Sequence, residues 1–204
     1  MDLRELPLRE RKKARTRQAL AETALRLFTE KGFEATTLDE LVDAVEVSKR
    51  TFFRTFPSKE DVALATDNEL WSVFLAEVAV MEIRGPVTAA FLTAVRTALG
   101  RMDDGWAERF LATRALCARV PAVEAHSLRY CNDTTRAAVE RLAARLGRDR
   151  GDVSLSLAVE ISIAAWRHAA LTWTDDGGEG GLPGLLDRLD HAFAAIPSAV
   201  TVSA

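Results

Sequence analysis
The chain has 204 residues, 48% hydrophobic and 28% charged, a globular balance that excludes disordered and fibrous classes for the chain as a whole. Its apolar runs are broken by Arg84, Glu160 or Arg167 before reaching the ~18 residues a membrane span needs, and the opening Met-Asp-Leu-Arg-Glu-Leu-Pro has no secretory h-region, so a cytoplasmic location is expected. The net charge of −3 hides a split: residues 1–60 hold 13 Lys+Arg against 11 Asp+Glu, the remainder 14 against 19, and residues 9–17 alone carry six cations, the local charge that a phosphate backbone senses.

No period-2 run or Asn-Gly turn marks a strand, whereas Ala, Leu, Arg and Glu at helical spacing are dense, so the expected fold is all-α with about nine helices. A first helix over 9–31 has Leu20, Ala24, Leu27 and Phe28 as its apolar stripe, with Gly32 just past its end. Thr37-Leu38-Asp39-Glu40 is a capping box that opens a short second helix. Ser48 caps a third, which ends near Thr55 with Val47, Phe52 and Phe56 inward. Ser58 caps one long helix predicted over 59–80. Further helices are predicted over 86–100, 104–118, 121–147, 152–174 and 185–196, with a glycine-rich linker over 175–184 before the last. All five lysines lie at or before Lys59, and that shift suggests a boundary between an N-terminal domain, 1–58, and a larger one, 59–204.

Two short capped helices over 37–56, the second cationic on its outer face, have the layout of a helix-turn-helix. A major groove about 12 Å wide admits such a second helix. Its outward residues are Ser48, Lys49, Arg50, Phe53, Arg54 and Thr55, of which Lys49, Arg50 and Arg54 can reach phosphates or guanine edges. Lys59, in the first turn of the next helix, is a further candidate for a backbone phosphate. Periodicity alone fits a solvated helical hairpin equally well.

The run Phe33-Glu34-Ala35-Thr36-Thr37, then 41–45, then Val47-Ser48-Lys49-Arg50-Thr51-Phe52-Phe53-Arg54-Thr55-Phe56-Pro57-Ser58-Lys59-Glu60 resembles the N-terminal domain of TetR-type transcriptional regulators. The resemblance covers about residues 10–65. It implies a DNA-binding, ligand-responsive regulator, most simply a repressor, in which Thr37 and Thr51 touch phosphates and Lys49, Arg50, Phe53 and Arg54 face the groove. Phe53 stands where the family often has Tyr. Glu46 stands where it usually has Gly in the turn, so either the turn is rebuilt or Glu46 turns toward Lys49 or Arg50. The resemblance also implies that the last two helices build a homodimeric four-helix bundle, in agreement with the 152–174 segment being apolar on almost every side.

The larger domain resembles the family in architecture, and its Trp166-Arg167, glycine-rich linker and final helix look like the subgroup described as having an acyl-CoA-like ligand-binding domain. Trp71, Phe74, Met102, Trp106, Phe110 and Trp166 are candidate pocket residues, though each taken singly reads more readily as ordinary core. Arg114 beside them fits an anionic ligand or a solvated arginine. Glu160, expected inside a buried helix, needs a partner, in Arg167, in another helix or in a ligand. His126, His168 and His191 have no metal-ligand spacing, no P-loop or Gly-x-Ser-x-Gly occurs, and neither enzyme activity nor a metal or cofactor is expected. The implied partners are a (pseudo)palindromic DNA operator, a small-molecule effector and a second copy, with no membrane. Two rivals are a ligand-binding or catalytic bundle with a degenerate DNA-binding domain, kept open by Glu46, and an architectural DNA-binding protein without a ligand.

Overall fold
The computed structural model describes residues 7–202, and those residues hold helices and no strand. Ten helices run in order: α1 Leu8–Glu30, α2 Leu38–Ala44, α3 Lys49–Thr55, α4 Lys59–Ala63, α5 Ala65–Val80, α6 Val87–Leu99, α7 Trp106–Arg119, α8 Pro121–Leu146, α9 Val153–Asp175 and α10 Gly181–Ala199. The tenth arises because the helix predicted over 59–80 is two. Leu64, at φ −96° and ψ 16°, interrupts it after Ala63, and its N–H bonds back to Glu60. The last helix begins inside the predicted linker. Gly180, left-handed at φ 76°, turns the chain, and Pro183 fits the first turn, where a missing N–H costs nothing.

The chain packs into two compact units. The first takes the residues up to Thr66 together with Ala112–Ser127, and the second takes Asp67–Leu111 and the residues from Leu128 onward. They differ from the expected segments 1–58 and 59–204 for a packing reason. Val62, Ala63 and Leu64 join Leu20, Phe28, Leu41, Phe52 and Phe56 in one apolar core, as do Leu116, Cys117 and Val123 from α7 and α8. The start of the segment predicted as one helix over 59–80 therefore belongs to the first unit, with α4 whole and α5 by Ala65 and Thr66 alone, and α7 and α8 contribute longer stretches to both units.

The core of the second unit gathers α5, α6, α9 and α10 around Phe74, Phe91, Trp166 and Phe193. Within the single chain, helix α9 is covered on one side only. Leu155, Val159, Ile163, Trp166, Ala169 and Trp173 are buried, while Leu157, Glu160, Ala164, Arg167 and Leu171 face solvent.

Candidate nucleic-acid interface
Local chemistry sets the two helices of the helix-turn-helix. Thr37 accepts from the Glu40 N–H at 3.2 Å, and the Glu40 carboxylate accepts from the Thr37 N–H at 2.9 Å, completing the capping box. Lys31 lies 2.8 Å from the same carboxylate. With that ammonium first and the Thr37 N–H second, the Glu40 carboxyl is lowered from its ordinary 4.5 to about 2. Ser48 caps α3 by accepting from the Thr51 N–H at 3.1 Å, and its hydroxyl meets the Thr51 hydroxyl at the same distance. Phe52 anchors α3 in the core.

The turn keeps the geometry a glycine would provide. Glu46 has φ 54°, the one positive φ of a non-glycine residue among those described, and the Val47 N–H closes the turn on the Val42 carbonyl at 3.0 Å. The turn is therefore not rebuilt, and Lys49 pairs with Asp39 at 2.7 Å rather than with Glu46. Since the turn holds its shape with a glutamate in it, the feature that favoured a degenerate domain no longer does so.

Ser48, Lys49, Arg50, Phe53 and Arg54 are exposed on α3, and Thr51 and Thr55 are half-buried. Phe53 is a large apolar side chain 54% open to solvent, edge-on to buried Phe52. Arg50 and Arg54 have no acidic partner among the described residues. Beside this face lies a groove of about 370 Å³, lined by Arg9, Lys12, Lys13 and Thr16 of α1 and by Thr51, Arg54 and Thr55 of α3, with Glu10 as the acid among them. Arg17 ties the two helices together, donating to the Thr55 carbonyl at 3.1 Å with its guanidinium 4.3 Å from the Phe56 ring centre. The basic run over 9–17 pointed to this wall; the Arg17 and Asp39 contacts had no sequence signal, because they join separate helices.

Two expected DNA residues have other occupations. Thr37 is exposed, and its hydroxyl serves the capping box. Lys59 is half-buried. Its ammonium donates to the Phe33 carbonyl and lies 4.3 Å from the Phe33 ring centre and 5.5 Å from that of Phe28. Burial lowers its pKa, against the opposing pull of Glu34 and Glu60. A phosphate contact from Lys59 would break this clamp on the α1–α2 connection.

Of the candidate effector residues, Trp71, Phe74, Trp106, Phe110 and Trp166 come together in the core of the second unit, with half-buried Met102 against them. The rings pack on one another: Trp71 and Trp166 edge-to-face at 5.4 Å, Trp106 and Phe110 stacked at 4.9 Å. Trp173, one heptad beyond Trp166 on the same face of α9, joins Phe110 at 6.2 Å and was missed, although that spacing could have found it. Arg114 belongs to the first unit, where it donates to Ser127 at 3.4 Å. Glu160 is exposed, and no ion pair links it to Arg167 among the described residues.

Comparison with known proteins adds to this geometry. Residues 20–66 match the bacterial regulatory proteins of the tetR family, and residues 85–200 match the MftR C-terminal domain. The HTH-type transcriptional regulator TcmR of Streptomyces glaucescens is 39% identical over 150 residues, which are 71% of this chain and 66% of TcmR, just under two thirds of its length. Two solved structures share the fold. A TetR-family transcriptional regulator from Mesorhizobium loti is 14% identical, with a TM-score of 0.52 over 92% of this chain and 97% of that one. The reduced form of NemR from E. coli is 20% identical, with a TM-score of 0.50 over 90% and 96%.

Proposed function
Because the chain belongs to the tetR family of bacterial regulatory proteins, we propose that it is a homodimeric repressor that binds a (pseudo)palindromic operator through α3 and leaves it when a small molecule binds the second unit. The family is one of regulators rather than enzymes. The observation that carries the reading is the outer face of α3. Arg50, Phe53 and Arg54 stand exposed on a helix fixed by Ser48 and Phe52, next to the basic groove from α1. Arg50 and Lys49 read base edges. Phe53 supplies an apolar contact for a thymine methyl, and Arg54, Thr51, Thr55 and Ser48 hold phosphates along the groove. Thr37 and Lys59 act at the margin, through the cap and the clamp that position α2 and α3. Two heads on half-sites ~34–36 Å apart require a dimer, for which α9 and α10 provide the surface.

The effector reading rests on the aromatic cluster of Trp71, Phe74, Trp106, Phe110 and Trp166 with Met102, a packed apolar core whose surface suits a ligand with a large apolar part once the rings part to admit it. An acyl-like ligand of the kind implied by the subgroup resemblance has that character. Selection of bound duplexes from a random pool by the purified chain tests the reading. A two-fold consensus bound at physiological salt is expected. No enrichment, or enrichment that survives Arg50→Ala together with Arg54→Ala, would overturn it.

A further inference from the structure
Helix α2 carries three acids, Asp39, Glu40 and Asp43, beside the recognition helix. The Glu40 carboxylate is occupied by Lys31 and by the Thr37 N–H. Asp39 instead reaches α3. Its carboxylate lies 2.7 Å from the Lys49 ammonium, and the two side chains are 68% and 53% exposed. An ion pair this open to water stabilises a fold very little. Its place in the helix-turn-helix is of more consequence. Lys49 is the first residue of α3, after the Ser48 cap, and Asp39 is the second of α2, after the Thr37 cap. The N-terminal residues of the second helix are those that meet base edges. A carboxylate held against Lys49 is carried to the groove with it.

There a carboxylate is repelled by every phosphate and every acceptor, and only a donor compensates it. The donors of the major groove are the cytosine N4 and adenine N6 amino groups. The ammonium beside it needs the reverse, an acceptor. An A·T pair sets its donor between two acceptors, adenine N7 and thymine O4, so a carboxylate on that donor faces a bare acceptor whichever side the ammonium takes. A G·C pair sets both its acceptors, guanine N7 and O6, on one side of the cytosine donor, where one ammonium covers them. A cation and an anion in contact match this second pattern in order.

We propose that Asp39 and Lys49 together read one G·C base pair in each half-site, with Lys49 donating to guanine O6 or N7 and Asp39 accepting from cytosine N4. This rests on the reading of Lys49 as a base-edge residue and adds to it a specificity-determining acid from α2. Asp39 works by rejection. It lowers affinity for DNA in general and is compensated only where the cytosine amino group meets it, so it sharpens the choice of site without strengthening the grip.

Selection of duplexes from a random pool by the full chain, followed by competition with each base pair of the selected site replaced in turn, tests it. Asp39→Ala is expected to lower the preference for one G·C pair by about tenfold, while affinity for unrelated duplexes rises. A variant that merely misfolded would lose that unrelated binding as well. Lys49→Ala should relax the same position, and the double variant should lose little more selectivity there than either single one, since the two side chains act as a unit. Asp39→Asn exchanges the carboxylate for an amide, which suits adenine N6 and N7, so the preferred pair should move from G·C to A·T. If Asp39→Ala changes affinity by one factor on every duplex, or relaxes a position that Lys49→Ala leaves alone, or if the shared position is A·T in the parent's site, the paired reading is overturned and operator binding stands. A parent that enriches no duplex removes the operator reading and this one with it.

Discussion

At position 46 a glutamate holds a left-handed conformation, φ 54°, where the helix-turn-helix turns. A Cβ in that region costs roughly 1–2 kcal/mol, and glycine's greater freedom in the unfolded chain takes back part of the saving. Glu46→Gly should therefore stabilise the protein by less than ~1 kcal/mol, read as a higher urea midpoint at unchanged slope. It also removes an exposed carboxylate beside the DNA face, so operator affinity should rise at low salt and converge with the parent at high salt. A lower midpoint would mean that Glu46 makes a stabilising contact in solution. Glu40 gives a pH dependence with a definite sign. Its folded-state pKa is depressed from 4.5 to about 2 by Lys31 and the Thr37 N–H. The stability it contributes is thus complete above about 4.5 and is lost as pH falls toward 2. Glu40→Gln should flatten that part of the acid unfolding profile, and an unchanged profile would place the capping carboxylate outside the acid transition.

At the scale of elements, the first three helices were legible because their signals are local. Thr37 and Ser48 cap where they stand in the chain, and Leu20, Ala24, Leu27 and Phe28 bury the stripe their spacing draws. The break at Leu64 was not legible, since no Gly or Pro marks it and the packing of Val62, Ala63 and Leu64 produces it. Which face of α9 this chain itself covers was not legible either. Leucine and alanine on a helix read as core, whether the cover comes from the same chain or from another. For α3, Arg50→Ala should cost ~1–3 kcal/mol of operator affinity and relax preference at one base pair. Equal weakening on every sequence would move Arg50 to the phosphates. The groove on α1 predicts something else. Replacing Arg9, Lys12 and Lys13 together by glutamine should make the slope of log K against log salt shallower by up to ~3 units, with base preference intact. An unchanged slope would place α1 away from the backbone.

The two-unit organisation bears on the molecule as a whole. No composition shift could have revealed that 112–127 belongs with the N-terminal unit, because the contacts are distant in sequence. Helix α7 gives its start to the second unit and its remainder to the first, and α8 does the reverse. Neither unit can unfold without severing two helices. All four tryptophans, Trp71, Trp106, Trp166 and Trp173, lie in the second unit's core, so their emission reports that unit alone, whereas far-UV circular dichroism reports every helix. The two probes should give coincident urea transitions. On the proposed effector reading, the shared helices are the route by which an effector at the Trp106 cluster would bias α3. The effector needs only a different affinity for the DNA-bound and free shapes, and a coupling of ~1–3 kcal/mol changes DNA binding 5- to 150-fold. Linkage then requires operator DNA to weaken effector binding by the same factor that effector weakens DNA binding. Trp106→Ala and Phe74→Ala should lower effector affinity and leave operator affinity in the absence of effector near the parent's. Titrating a candidate effector into free and DNA-bound protein, followed by tryptophan emission, checks the reciprocity. Equal affinity in the two titrations would show that this molecule occupies the core without working the switch.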